Sequence, residues 1–302
     1  MSATADLISV SQRVGVRIPH WIQGAGGNLS VKDGSHLYIK ASGVRLDETR
    51  READLVEVDV APVSAAIAAI HTDDAAGELA YAGALRPNAG KGFSTGKPSM
   101  ETGMHLFLPG KWVFHFHSLA ALLMAHEHKV RPERFTSWVL AHAGGKIHMT
   151  PPVRPGLLLS TYVQKYAAAT FFVLENHGVL IQGDRPTVLE EWDSFERKFC
   201  LEFGYDAVRG EAPAAPTPMR LYFPDSAVFL ERLKAVLLPG AGEGEPRFVL
   251  AADARARDRD VVEIWNATQL LYNACPSLAE LPTSISQVVA NLPTETYRQG
   301  RK

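Results

Sequence analysis

The sequence predicts an α/β sandwich whose sheet is not purely parallel. Short runs rich in β-branched and aromatic residues ("NLSVK", "HLYIKA", "KWVFHFH", "TFFVLE", "VLIQG") are interspersed with segments of helical periodicity. No regular βαβ rhythm orders them, which argues against an all-parallel sheet. Hydrophobic residues make up 46% of the 302 and charged residues 21%, enough to bury a substantial core.

Taken in order, an amphipathic segment over 7–18 precedes "NLSVK" and "HLYIKA", two strands joined at "DGS" in a hairpin. "LVEVDV" (55–60) is a strand, and the Ala-rich stretch 61–83 is helical. Pro98 stands where the first turn of a helix accepts proline, so a helix over 99–108 follows. "KWVFHFH" is a strand, and Ser118 is the N-cap of the helix "LAALLMAHEHK". "HMTPPVRPG" reads as loop, "LLLSTYVQKYAAA" as helix, and "NHG" as a turn between the strands "TFFVLE" and "VLIQG". Val188, Trp192, Phe195 and Phe199 mark an amphipathic helix. "GEAPAAPTP" (210–218) is the best linker, dividing a domain over 1–209 from an extension over 219–302. The extension reads as small and α/β, with helices over 225–238 and 258–273 around a strand "RFVLAA". It carries no catalytic motif; its expected role is oligomer contact or cover for an active site.

The formal charge of −2 excludes a strongly basic nucleic-acid surface or a polybasic membrane anchor. No window approaches the roughly 20 apolar residues that span a bilayer, and the N-terminal stretch lacks the pattern of a signal peptide. Cys200 and Cys275 form no metal-ligand spacing and read as reduced core residues of a cytoplasmic protein.

The stretch "WVFHFHSLAALLMAHEH" holds two histidine pairs of the same spacing. Residues two apart on a strand share a face, whereas on a helix they diverge. His115 and His117 can therefore chelate one ion, or they are buried polarity; His126 and His128 suit a helix C-terminus. A catalytic zinc usually takes three protein ligands, and the best third is His177, whose alternative is an ordinary Asn-His-Gly turn. Glu101 is either a general acid/base beside that ion or the partner of His105 one turn on.

The pieces "GAGGNLSVK", "KASG", "STGKPSMETGMH", "HFH" and "LENHG", in this order over about residues 10–205, resemble the class II aldolase/adducin family. The wording looks closest to its rhamnulose-1-phosphate-aldolase-like branch, without the dehydrogenase to which that domain can be fused. The resemblance implies a three-layer αβα sandwich with a central, largely antiparallel sheet. It implies His115, His117 and His177 as metal ligands and Glu101 as the catalytic acid/base. The cofactor would be Zn2+ or another divalent ion such as Mn2+, Co2+ or Fe2+. The small-residue loops map to Gly27 and Asn28 and to Ser42 and Gly43; with Ser99 they would bind the substrate or its phosphate. Met100 stands where phospho-sugar aldolases often have a second hydroxyl; Lys40 and Lys97 are either positive charges that would offset that loss or ordinary solvated lysines.

The implied activity is aldol cleavage or addition on a ketose or ketose phosphate through a metal-stabilised enediolate. A sugar-phosphate epimerase or decarboxylase on the same site is the alternative, as is an adducin-like interaction module with a dead site. The generic three-histidine metal hydrolase ranks lower, because it has no need of the small-residue loops. The implied assembly is a homo-oligomer, favouring a tetramer, in which a neighbouring chain often lends a tyrosine that maps to no position here. The expected partner is a small sugar or sugar phosphate, with neither nucleic acid nor membrane.

Overall fold

The computed structural model describes residues 2–86, 92–212, 220–232, 236–238, 247–249 and 258–290. In chain order the main domain comprises α1 (Ala3–Gly15), β1 (Asn28–Asp33), β2 (His36–Lys40), β3 (Leu55–Asp59), α2 (Val60–Ala68) and α3 (Ala75–Ala84). Then come α4 (Thr102–Phe107), β4 (Trp112–Phe116), α5 (Leu119–Val130), α6 (Pro132–Ala143) and β5 (Ile147–Thr150). It closes with α7 (Leu157–Gln164), β6 (Phe171–Leu174), β7 (Gly178–Gly183) and α8 (Val188–Phe203). The described residues form a seven-stranded sheet of order β3-β2-β1-β4-β7-β6-β5. Its pairs are antiparallel except β5 with β6, which is parallel. This is the largely antiparallel three-layer sandwich that the sequence and the resemblance led us to expect.

Strand periodicity sorts the core. Trp112, Phe114 and Phe116 of β4, Phe171 and Val173 of β6, and Val179 and Ile181 of β7 face a layer containing α1, α5 and α8. Val113, Phe172, Leu174 and Leu180 face the opposite layer, with Met104 of α4 and Leu159 and Val163 of α7. On β1 the alternation sends Leu29 and Val31 to the first layer. Asn28 and Ser30, buried and polar, therefore face the second.

Several elements differ from the sequence reading. The Ala-rich stretch is two helices, because the Asp74 carboxylate accepts from Gly77 N–H (2.9 Å) and starts α3 afresh. Residues 147–150 form β5, so His148, Met149 and Thr150 are strand and not loop; the pairing with β6 is tertiary and leaves little local signal. Residues 165–169 lie beyond the end of α7, and α6 fills a stretch to which the sequence assigned no element. Beyond residue 219, α9 (Pro224–Ser226) continues as a π-turn over Ala227–Arg232, and β8 (Val236–Leu238) pairs with β9 (Arg247–Val249). The expected helix over 225–238 is thus helical over 225–232 and strand over 236–238. Helices α10 (Asp258–Ala274) and α11 (Thr283–Ala290) follow. Residues 213–218 of the expected linker and 250–252 of the expected strand lie outside the described residues. Among those described, no helix is long and apolar enough to cross a membrane.

Candidate metal centre

The centre is built at the end of β4, where His115 shares the face of Val113 and points to the α4 layer. His117 lies one residue past the strand. Ser118 then accepts from Ala121 N–H (3.1 Å) and turns the chain into α5. Across the sheet, His115 Nδ1 is 3.0 Å from the Val179 carbonyl of β7. A ring held through Nδ1–H presents Nε2 as its free lone pair.

His177 arrives by a tight turn between β6 and β7. Asn176 adopts φ 56°, His177 N–H donates to the Leu174 carbonyl (3.0 Å), and Gly178 has φ 132°. A Cβ at Gly178 would stand 2.1 Å from the Phe116 carbonyl oxygen, so only glycine lets this turn lie against β4. The rings of His115, His117 and His177 come together with centroids 5.2, 4.7 and 5.3 Å apart, all three buried.

Glu101 closes the group from the opposite layer. Helix α4 begins at Thr102, later than the sequence suggested, and Glu101 occupies its N-cap position. Its Oε1 is 3.2 Å from His115 Nε2 and 2.9 Å from His177 Nε2, and its Oε2 accepts from Asn28 Nδ2 (2.7 Å). Asn28 itself sits directly opposite His115 in the β1–β4 register. The Glu101–His105 alternative is not formed: His105 is buried and its Nδ1 is 2.8 Å from Ser30 Oγ. Burial holds that imidazole neutral, with a pKa of about 3.

The electrostatics suit a cation. Burial opposes ionisation of Glu101, but His115 and His177 outweigh it and hold the carboxyl well below the usual carboxylate range. Burial likewise opposes charge on His115, where Glu101 prevails and raises the pKa; His177 is pushed down to about 4, chiefly by burial. Ligand atoms of Glu101, His115, His117 and His177 all lie within 4.8 Å of one another. His115 Nε2, 3.2 Å from Glu101 Oε1, is buried without a well-directed hydrogen bond. Three imidazoles and a carboxylate gathered in one buried group, with the His115 Nε2 lone pair turned into it, fit a divalent ion of hard or borderline character.

Beside this cluster lies a small pocket, a cavity of about 40 Å³, lined in part by Gly27, Asn28, Ser42, Gly43, Ser99 and Glu101. Thus the residues of both small-residue loops meet the histidines, although they come from separate parts of the chain. Ser99 Oγ accepts from the Glu101 N–H (3.3 Å). Lys40 also lines the pocket, its Nζ donating to the carbonyls of Ala25 (3.2 Å) and Val44 (2.6 Å). Lys97 is exposed and is not among the residues lining the pocket; its backbone carbonyl accepts from Ser42 N–H (3.0 Å). Met100 lines the pocket as well. Sequence reasoning missed Asp225, whose Oδ2 stands 3.1 Å from His117 Nδ1. Its local signal, Pro-Asp-Ser, reads only as a helix start.

A family model described as Class II Aldolase and Adducin N-terminal domain matches residues 6–191. No curated protein matches the sequence. Among solved structures, the N-terminal class II aldolase domain of a conserved protein from Thermoplasma acidophilum is 24% identical, with a TM-score of 0.53. That match covers 67% of this chain and 93% of the other. YgbL from Klebsiella pneumoniae, titled a putative aldolase/epimerase/decarboxylase, is 20% identical over 67% and 88%, with a TM-score of 0.48. An L-fuculose-1-phosphate aldolase from Thermus thermophilus is 15% identical over 70% and 98%, with a TM-score of 0.45. With its motifs gathered on one largely antiparallel sheet and most of its length matched, the chain belongs to the class II aldolase and adducin family.

Proposed function

We propose that the protein is a divalent-metal-dependent aldolase that cleaves or forms a carbon–carbon bond in a ketose or ketose phosphate. The observation that carries this reading is Glu101: a buried carboxylate, held ionised, 2.9 and 3.2 Å from two of the three clustered histidines and facing a pocket. His115, His117 and His177 would hold the ion, zinc or another divalent metal. Bound there, the ion would supply Lewis acidity toward a substrate carbonyl.

The other steps belong to the chain's own groups. Glu101 takes or returns the proton at the enediolate carbon, oriented by the amide of Asn28. Asn28 also reaches Ser99 Oγ (3.4 Å), tying the acid/base to the loop wall of the pocket. The loops at Gly27 and Asn28 and at Ser42 and Gly43 leave space for backbone donors to approach an anionic group. Lys40 adds a positive charge to that wall. A dead adducin-like module has no use for this ensemble of buried titratable side chains. Homo-oligomeric assembly, favouring a tetramer, is part of the proposal.

The test is a product assay over ketose 1-phosphates and free ketoses, on chelated protein and on protein with metal restored. We expect an aldehyde and a three-carbon ketone fragment, formed only with metal. Epimerised or decarboxylated products without cleavage would replace this reading with one of those chemistries on the same site.

A further inference from the structure

The segment that follows the family match supplies part of the pocket wall. Pro224, Asp225 and Val289 line it, and they come from α9 and α11. Asp225 is 1% exposed, its carboxylate 3.1 Å from His117 Nδ1. A Cβ at Gly26 would come within 2.5 Å of that same Oδ2, 2.8 Å of the Gln23 carbonyl oxygen and 3.1 Å of the ring nitrogen, so glycine here leaves room for this pair as well as for the turn of its own loop. The turn is set by Ser226, whose hydroxyl donates to the Phe223 carbonyl (2.6 Å) while accepting from Phe223 N–H (3.2 Å). Phe223 packs beside the same imidazole, ring centroids 6.0 Å apart.

The segment is anchored around this point. Asn176, next to His177, donates its amide to the carbonyls of Tyr222 (3.4 Å) and Ala279 (3.2 Å). On the other side Glu263 of α10 accepts from Gly24 N–H (2.8 Å) and from both terminal nitrogens of buried Arg45 (3.0 and 2.9 Å). Both small-residue loops and the His177 turn are therefore clamped by the segment that delivers Asp225.

An imidazole that binds a metal through one nitrogen is oriented by what its other N–H meets, most often a carboxylate or a backbone carbonyl. His115 has the Val179 carbonyl in that place. We propose that Asp225 is the corresponding positioning residue for His117: its carboxylate holds the ring through Nδ1 and leaves Nε2 to the ion. This rests on the metal reading above. A buried carboxylate also adds negative charge close to a divalent cation, which favours retention of the ion.

Zn2+ affinity of the full chain, measured by competition with a chromophoric chelator at fixed pH, tests this for wild type, Asp225→Asn and Gly26→Ala. Thermal unfolding of metal-free and zinc-loaded protein accompanies it. The asparagine variant is expected to lose about 10- to 100-fold in affinity, with a smaller zinc-induced rise in Tm and an unchanged metal-free Tm. Gly26→Ala keeps the carboxylate but takes its space, and is expected to weaken binding in the same direction; it serves alone if the first variant does not fold. Wild-type affinity in the folded variants overturns the proposal, as does a lowered metal-free Tm without loss of affinity. A wild-type chain that binds no zinc overturns this inference and the metal reading together. Zinc binding without aldol cleavage overturns only the proposed activity.

Discussion

Glu101 shows how one side chain can be both buried and ionised. Desolvation alone would neutralise it, yet the His115 and His177 imidazoles at 3.2 and 2.9 Å outweigh that cost. Replacing it with glutamine keeps the shape and removes the proton acceptor. Glu101→Gln is therefore expected to retain its metal, seen by elemental analysis, while kcat falls by about 10² to 10⁴, the usual worth of a general acid/base. Loss of the ion with the same substitution would make Glu101 a ligand instead. At this scale the sequence was informative where period two governs, since it placed His115 and His117 near one another at the end of β4, although His117 lies one residue past the strand. Asp225 was invisible because nothing in local spacing ties it to His117; only the tertiary path of the last segment does.

At the level of elements, α5 and α8 are joined at a point just behind the centre. Glu196 of α8 is buried and accepts from Trp21 Nε1–H and from the hydroxyl of Ser118, the N-cap of α5. Burial pushes its carboxyl up to about 7 from 4.5. A folded state that binds this proton more tightly than the unfolded chain loses stability as pH rises from 4.5 to about 7. The loss amounts to roughly 3 kcal/mol at most, at 1.36 kcal/mol per pKa unit. Denaturant unfolding across that window is expected to show a flatter pH slope for Glu196→Gln than for wild type; equal slopes would contradict it. The β1–β2 hairpin, β4, β6, β7 and α8 were legible because each carries its own period and punctuation. In contrast, β5 takes its identity from pairing with β6; α6 has Pro132 and Glu133 in its first turn, but Arg131 at its N-cap gives no side-chain cap and the helix buries only Phe135 and Trp138. The helical propensity of the stretch from residue 225 likewise gives way where β8 pairs with β9.

Across the whole molecule, one sheet gathers the functional groups and a later segment closes over them. Histidines from β4 and the β6–β7 turn meet a carboxylate from the start of α4, and loops around β1 and β2 form the opposite wall. Arg45 with Asp260 and Glu263, and Asn176 with Tyr222 and Ala279, fasten the last helices to those same loops. Order along the chain disclosed the family and the three-layer fold; it said of the final segment only that covering the site was one of its two expected roles. The central claim is that the three histidines form one divalent-metal centre that activity requires. Metal stoichiometry of the purified chain, set beside turnover before and after chelation, tests it most directly. The account predicts one ion per chain, lost in His115→Ala, with activity that disappears on chelation and returns with a divalent ion. A chain that holds no ion and turns over normally without one would contradict it.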